Sequence, residues 1–356
     1  MRNNQACVRC VNDKTIKNIS FDAEGVCNFC RTYEKYEPIL HNYSYLEELF
    51  LRKIKTNETH AYDVAVGISG GKDSTFVLYE LIYKYKLKVC TYTLDNGFLS
   101  EEAKEKINRI VQEFHVPHEY VNCNQEVLKE MYHYIVKKYL SPCIACSFLG
   151  YAAMINYASR VDAYVGIHGR SIPQMLRNFS ENREDYFKPF ILDGLKEEGE
   201  NPELLFQTIL DSISTLVDQQ LATKIKEELL KDAYKNGFRP FLAYFLYHPY
   251  NKDAIIRILE ENTSWRIESE EEHFDCLIHH GALHIKNIIA RRHHLMPEIS
   301  VMVREKMITR EEAHSLLKIK DNIPLAKKEL KHFCEYADLK YCRIMLKAKL
   351  YGKRWW

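Results

Sequence analysis

The chain has almost no net charge, because 50 Lys and Arg residues stand against 49 Asp and Glu residues, a formal charge of +1. This balance removes the overall attraction to nucleic acid that a basic chain would have, although a local basic patch remains compatible with it. An apolar run of about 18 residues is also absent, which argues against a helix that spans a membrane. Because the first residues lack the apolar core of a signal peptide, we expect a cytoplasmic protein with no membrane partner.

Internal repeats, low-complexity segments and long linkers are absent as well. A hydrophobic content of 46% with 28% charged residues is typical of a globular protein. A chain of 356 residues can form one large or two modest domains plus a small appendage. Its eleven cysteines indicate metal or catalytic sites, because disulfides are rare in the cytoplasm.

Four cysteines form two Cys-x-x-Cys pairs near the N-terminus, Cys7 with Cys10 and Cys27 with Cys30. Each pair offers two thiolates to one metal ion, and the spacing between the pairs is that of a zinc ribbon. Few apolar residues surround them, so we expect the metal to supply much of the folding free energy of this unit. Because four cysteine ligands close a tetrahedral site, we interpret the zinc as structural; a redox dithiol is the alternative.

The most informative segment is Ser69-Gly70-Gly71-Lys72-Asp73-Ser74. It follows an apolar run at 64–68 that predicts a buried strand, and it precedes a predicted helix start at 75–81. A Gly-Gly turn in this position places backbone N–H groups and the positive helix end where a phosphate can bind. The two hydroxyls add donors, the lysine adds a cation and the aspartate suits Mg²⁺. The segment is not a Walker A loop, because Val66 and Asp73 replace its first Gly and its Ser or Thr.

Predicted strands and helices alternate from residue 61 onward. This alternation predicts an α/β fold, in which a Rossmann-like parallel sheet carries helices on both faces. The predicted elements are strand 63–68, helix 74–85, strand 88–94, helix 100–115, strand 118–121, helix 125–139, helix 147–159 and strand 162–167.

Two further loops are predicted beside the Ser69–Ser74 segment, because ligands in such sheets bind beyond the carboxyl ends of the strands. Asp95 follows the second strand and suits ribose or adenine. His168 and Arg170 follow the strand at 162–167, where they could neutralise the charge of a phosphate group. Each loop alone could be a bare turn, but their shared edge favours a binding site.

A third cysteine pair, Cys143 and Cys146, precedes a predicted helix, and Cys276 lies downstream beside several histidines. Three cysteines could hold an iron–sulfur cluster with one open iron. They could also form a second zinc site with a histidine, carry a persulfide, or be small core residues. The other cysteines are expected in the core: Cys90, Cys123, Cys334 and Cys342.

The chain is divided by these features into five predicted parts. They are a zinc ribbon at 1–35, a linking helix at 36–60, a nucleotide-binding domain at 61–194, a helical insertion at 195–262 and a helical C-terminal region at 263–356.

Three segments resemble known families. The Ser69–Ser74 segment is similar to the PP-loop of the ATP pyrophosphatase superfamily, whose members cleave ATP between the α and β phosphates and adenylate a substrate oxygen. The N-terminal cysteine pairs, together with Met307-Ile308-Thr309-Arg310-Glu311-Glu312-Ala313, resemble N-acetyl sugar amidotransferases of surface-polysaccharide synthesis. The resemblance to PP-loop enzymes implies a sheet of the adenine nucleotide alpha-hydrolase type that binds ATP and Mg²⁺.

One set of cysteines, Cys143, Cys146 and Cys276, departs from the amidotransferase pattern. Cys143 and Cys146 with the distant Cys276 resemble the iron–sulfur PP-loop thiolases of transfer RNA. This resemblance implies a [4Fe–4S] cluster on three cysteines, with sulfide delivered to an adenylated carbonyl.

The function favoured at this point is an ATP-dependent, AMP-forming sulfurtransferase. Ser69–Ser74, Asp95 and His168 are expected to bind ATP, and Lys72, Asp73, Arg170, Cys143 and Cys146 to act in the reaction. One alternative is an amidotransferase that receives ammonia from a partner glutaminase and acts on an N-acetyl sugar. Another is a zinc-ribbon scaffold that binds nucleotide without turnover. A small-molecule acceptor is favoured slightly over transfer RNA, a sulfur donor is expected, and homodimer formation is left open.

Overall fold

Five parallel strands form the central sheet of this computed structural model, in the order β3-β2-β1-β4-β5. The structure describes residues 5–55, 59–177, 214–267 and 275–354, with 179, 191, 195, 207 and 211. The strands are β1 Tyr62–Gly67, β2 Val89–Asp95, β3 His118–Asn122, β4 Ala163–His168 and β5 Phe241–Ala243.

Helices cover the sheet and continue beyond it. In chain order they are α1 Asn28–Leu40, α2 Tyr43–Ile54, α3 Lys72–Tyr79, α4 Glu101–Glu113, α5 Gln125–Tyr139, α6 Pro142–Arg160, α7 Ile172–Leu176, α8 Gln219–Leu229, α9 Lys231–Asn236, α10 Tyr244–Tyr247, α11 Lys252–Asn262, α12 His279–Ala290, α13 Met296–Arg304, α14 Arg310–Leu316, α15 Ile323–Tyr336 and α16 Tyr341–Arg354. A π-helical turn, Glu80–Lys84, extends α3. Within the part of the chain that the structure describes, no helix is long and apolar enough to cross a membrane.

The predicted α/β sheet is confirmed. β1 lies at its centre, between β2 and β4, and the side chains of Val64, Ala65 and Val66 are fully buried. A strand covered on both faces needs apolar residues at successive positions, which explains why this run has no polar alternation. The carboxyl ends of β1, β2 and β4 therefore meet at one edge, as the sequence predicted.

The fifth strand corrects part of the predicted helical insertion at 195–262. β5 pairs with β4 through Gly166 opposite Phe241, so this stretch completes the sheet. All seven residues of 241–247 are buried, and three of them form the strand before α10 begins. A short apolar run without a turn residue does not distinguish strand from helix, which is why periodicity missed it. Residues 196–206, 208–210 and 212–213 of the predicted insertion lie outside the described residues.

α6 begins five residues earlier than predicted. It starts at Pro142, and proline is favoured in the first turn of a helix because it needs no N–H partner there. Cys143 and Cys146 therefore lie on the first turns of α6 rather than in a loop before it.

The C-terminal region divides between two hydrophobic cores. α13 and α14 pack on the cysteine ribbon through Met296, Ile299 and Ala313, in a core separate from that of the sheet. α12 and α15 pack on each other, and α15 supplies Phe333 to the sheet core. α14 begins with a capping box, since Thr309 and Glu312 exchange backbone-to-side-chain hydrogen bonds of 2.7 and 3.2 Å.

Candidate functional site

The Ser69–Ser74 segment covers the glycine turn after β1 and the first three residues of α3, which begins at Lys72. Gly70 has a φ of +76°, a conformation that glycine adopts without strain. The Ser74 hydroxyl accepts a hydrogen bond from the Ser69 N–H at 3.2 Å and donates to the Gly71 carbonyl at 3.2 Å. The Ser74 hydroxyl therefore links the turn to the first residues of α3, whose positive end lies at the sheet edge.

Lys72 and Asp73 form an ion pair at the start of α3, with 3.3 Å between Nζ and the carboxylate. Each side chain is 19% exposed, so both remain accessible to a ligand. The Tyr250 hydroxyl donates to the other Asp73 oxygen at 3.1 Å. Sequence analysis missed Tyr250, which lies 177 positions away in the chain. An accessible cation and a carboxylate at a helix start can hold a phosphate and its Mg²⁺ ion.

The loop after β4 packs directly against this helix start. A Cβ atom added at Gly169 would lie 3.0 Å from the Asp73 carbonyl, which leaves room only for glycine. The adjacent Arg170 guanidinium lies 4.7 Å from the centre of the Tyr151 ring and donates to its hydroxyl at 2.5 Å. Burial, followed by the charge of Arg170, lowers the pKa of His168 to about 3. The imidazole is therefore neutral at pH 7, and only Arg170 of this loop carries positive charge.

The loop after β2 turns back on itself through Asp95, whose carboxylate accepts from the Gly97 N–H at 2.9 Å. This bond stabilises the turn and fixes the carboxylate at the sheet edge. The neighbouring Asn96 side chain accepts from the Phe98 N–H at 2.9 Å, which leaves its amide nitrogen to donate to the Cys146 sulfur at 3.5 Å. The Asp95 loop thus joins the sheet edge that carries the Ser69–Ser74 segment to Cys146 of the third cysteine pair.

The same loop also holds Cys276. Leu99 and Cys276 form an antiparallel bridge, and the Leu277 N–H donates to the Phe98 carbonyl at 2.9 Å. Sequence separation hid this juxtaposition, because the backbone pairing joins positions almost 180 residues apart.

The three cysteines predicted to act together are close enough to influence one another. Burial raises the pKa of Cys146 to about 11 and that of Cys276 to about 12, and neighbouring thiols, including Cys143, add to both increases. The Tyr132 hydroxyl lies 3.0 Å from the Cys146 sulfur. Among the described residues, these three sulfurs do not gather within 4.8 Å as the ribbon cysteines do. Three thiols brought near one another are soft ligands of the kind that zinc ions and iron–sulfur clusters take.

The ribbon cysteines do form a compact group, with all four sulfurs within 4.8 Å of one another. The Cys7 and Cys30 sulfurs are 3.8 Å apart, as are those of Cys10 and Cys27. Four metal–sulfur bonds of about 2.3 Å at tetrahedral angles separate the sulfurs by about 3.8 Å. The four thiols therefore fit one tetrahedral metal ion.

Backbone and arginine groups support the ribbon site. The Cys27 N–H donates to the Cys7 sulfur at 3.3 Å, and Arg304 of α13 donates to the Cys30 sulfur at 3.7 Å. Arg310 of α14 donates to the Cys7 and Cys10 carbonyls at 2.9 and 3.2 Å. The buried surroundings and these donors fit a site with a structural role.

The remaining cysteines are distributed almost as expected. Cys90, Cys123 and Cys334 are buried core residues. Cys342 is exposed, against expectation, because it lies on the outer face of α16.

No family model matches the chain. Among curated proteins, the chain is similar to an uncharacterized protein of Methanocaldococcus jannaschii, with 30% identity over 144 residues. The match covers 40% of this chain and 50% of the relative, so the chain spans about half the length of the curated protein that it matches.

Solved structures with a similar arrangement include two synthetases and a thiolase. The NH3-dependent NAD synthetase from Campylobacter jejuni has a TM-score of 0.30 and 12% identity, covering 56% of this chain and 96% of its own. The NMN synthetase from Francisella tularensis has a TM-score of 0.29 and 13% identity, covering 54% and 94%. The U34-tRNA thiolase NcsA from Methanococcus maripaludis with its [4Fe–4S] cluster has a TM-score of 0.36 and 13% identity, covering 89% and 90%. At these TM-scores and identities the three structures do not assign a function to this chain.

Proposed function

We propose that this chain is an ATP-dependent, AMP-forming transferase that replaces a carbonyl or amide oxygen of its acceptor with sulfur. The observation that supports the proposal is that the Ser69–Ser74 loop and the cysteines Cys146 and Cys276 lie at the same edge of the sheet. The loop after β2 contacts Cys146 and pairs with Cys276, and β2 is the neighbour of β1, which ends in the Ser69–Ser74 loop. An activating site and a sulfur-bearing site are then close enough to act on one acceptor.

The first step is activation of the acceptor by ATP. The backbone N–H groups at the start of α3 and the Lys72 ammonium hold the phosphates, and Asp73 holds Mg²⁺. The acceptor oxygen attacks the α phosphorus and the bond to the β phosphate oxygen breaks, so pyrophosphate leaves. Arg170 offsets the charge that develops on the phosphates. This adenylation converts a poor oxygen leaving group into a good one.

The second step brings sulfur to the activated carbon. Cys143, Cys146 and Cys276 would hold a [4Fe–4S] cluster, which when bound supplies an open iron that presents sulfide. A sulfur nucleophile attacks the adenylated carbon, and AMP leaves with the original oxygen. Asn96 and Tyr132 orient the Cys146 sulfur toward the sheet edge through bonds of 3.5 and 3.0 Å.

The distribution of charge bears on the acceptor. The balanced charge of the whole chain favours a small molecule, but residues 318–354 contain eleven Lys and Arg against four Asp and Glu. The lysines of α15 are exposed. Another face of the same helix packs on Phe98, which lies near the residue that contacts Cys146. Because a basic surface attracts phosphate backbones, we propose RNA as a second candidate acceptor.

The experiment that tests the proposal is a metal and sulfide analysis after strictly anaerobic purification. We expect about one zinc and about four iron per chain, with matching acid-labile sulfide. Cys143→Ser should keep pyrophosphate release and lose iron and thiolated product. Cys342→Ser is the matched control, because this exposed cysteine lies outside the site and its loss should change neither.

Two other results would contradict the proposal. Zinc alone, after attempted cluster reconstitution, would favour amidotransfer with ammonia from a partner glutaminase. Pyrophosphate release that stays flat with diverse acceptors would favour a scaffold that binds nucleotide without turnover.

A further inference from the structure

Trp265 lies against the Ser69–Ser74 loop, although it is almost 200 positions away in the chain. Its indole N–H donates to the Gly70 carbonyl at 3.1 Å, and only 6% of the residue is exposed. The Lys106 ammonium lies 4.8 Å from the centre of the indole ring and donates to the Arg266 carbonyl at 2.9 Å. The indole therefore contacts both a buried cation and the glycine loop.

The bond to Gly70 determines where the next N–H points. The Gly70–Gly71 peptide is planar and trans, so the Gly70 carbonyl and the Gly71 N–H point in opposite directions. With the carbonyl directed at Trp265, the Gly71 N–H is directed away from the indole. Both glycines can rotate more freely than other residues, so an external bond is needed to select one orientation.

We infer that Trp265 is a positioning residue, which sets the Gly70–Gly71 peptide so that its N–H is ready to bind a nucleotide phosphate. The inference rests on the proposed function, in which this loop holds ATP. Trp265 acts through the loop backbone and does not itself need to touch the nucleotide. The loss of its N–H should weaken binding of the phosphates and leave binding of the nucleoside unchanged.

The test compares the affinities of ATP and adenosine by calorimetry in wild-type protein and in Trp265→Phe, which keeps an aromatic ring beside Lys106. One lost orienting hydrogen bond should weaken ATP binding by on the order of fivefold to tenfold and leave adenosine binding unchanged. Ser264→Ala is the matched control, because its hydroxyl bonds Glu113 in the same segment without touching Gly70. It should leave the ratio of the two affinities at the wild-type value.

A second measurement keeps Trp265 in place. In a Trp355→Phe, Trp356→Phe chain, Trp265 is the remaining one of the three tryptophans, and ATP should change its fluorescence while adenosine should not. ATP binding without any change in emission, or an unchanged affinity ratio in Trp265→Phe, overturns the inference alone. A wild-type protein that does not bind ATP overturns the proposed function as well, so the two failures are distinguishable.

Discussion

Lys72 is neutralised by Asp73 before any ligand arrives, because their charged atoms are 3.3 Å apart at the sheet edge. A nucleotide with Mg²⁺ can replace this internal pair with two stronger ones, since phosphate takes the lysine and the metal ion takes the carboxylate. The arrangement keeps both side chains ordered in the free protein without burying an uncompensated charge.

Lys72→Ala should lower the rate of pyrophosphate release by about 10²- to 10³-fold, because it removes a charge that stabilises the leaving group. Zinc content and the thermal midpoint should not change. The control is Lys104→Ala, which breaks a comparable lysine–carboxylate pair with Glu101 on the surface of α4, outside the loop. If the rate in Lys72→Ala stays within twofold of wild type, Lys72 does not take part in pyrophosphate release.

At the scale of elements, His248 joins α10 to the π-helical turn after α3. Its Nδ1 donates to the Tyr244 carbonyl at 2.9 Å, and its Nε2 lies 2.6 Å from the Tyr85 hydroxyl. Only 4% of the residue is exposed, and burial lowers its pKa to about 4. Burial therefore favours the neutral imidazole in the folded protein, so protonation favours the unfolded chain.

We therefore expect stability to fall as the pH decreases from about 6.5, the pKa of an unfolded histidine, toward about 4. The full shift corresponds to on the order of 3 kcal/mol of unfolding free energy. Urea denaturation at several pH values measures it, and His248→Gln should flatten the slope in this window. The control is His314→Gln, which replaces an exposed histidine and should keep the wild-type slope. A slope in His248→Gln as steep as that of wild type would show that His248 does not cause the pH dependence.

The ribbon is a second element whose stability has a separate source. Its core contains α13 and α14, which Arg304 and Arg310 connect to the cysteine pairs, and it does not merge with the core of the sheet. Metal bound to the four thiols should therefore stabilise these helices as well as residues 5–30.

Removal of the metal with a chelator should abolish amide protection from hydrogen exchange in 5–30 and 296–316, because thiols without metal cannot hold the ribbon. The residues of α3 should keep their protection, and ATP affinity should stay within about twofold. Readdition of zinc should restore the protection. Unchanged exchange in the ribbon after complete metal loss would show that the metal does not support this unit.

For the whole molecule, charge is segregated more strongly than the net value of +1 indicates. The surplus of seven positive charges in 318–354 means that the rest of the chain is acidic overall. A surface of this kind should bind bulk transfer RNA, with a Kd that rises steeply as salt increases. Charge reversal of the exposed Lys327, Lys328 and Lys331 to Glu should weaken binding and reduce the salt dependence.

The control for this prediction reverses three exposed lysines elsewhere, Lys231, Lys235 and Lys252, with the same change in net charge. It should weaken RNA binding much less, because those lysines lie outside the basic segment. Equal effects of the two triple variants, or no RNA binding at low salt, would favour the small-molecule acceptor that the net charge suggests.

The sequence alone determined the features that depend on local order. Three features are each encoded by residues close together in the chain. They are the strand at 64–68, the glycine turn after it and the ribbon formed by the two N-terminal cysteine pairs. The parallel sheet followed from the alternation of strands and helices, because parallel neighbours need a crossover between them. β5 was missed, since three apolar residues before a helix give no periodic signal.

Only the tertiary structure decided which distant residues complete each site. Trp265 and Tyr250 reach the Ser69–Ser74 segment from the stretches flanking α11, and Cys276 reaches the loop after β2 through a backbone bridge. α13 and α14 belong to the ribbon, although they lie almost 300 positions from it. These contacts depend on how helices pack and where loops return. A single sequence encodes that information in the shapes of many side chains together and not in any local pattern.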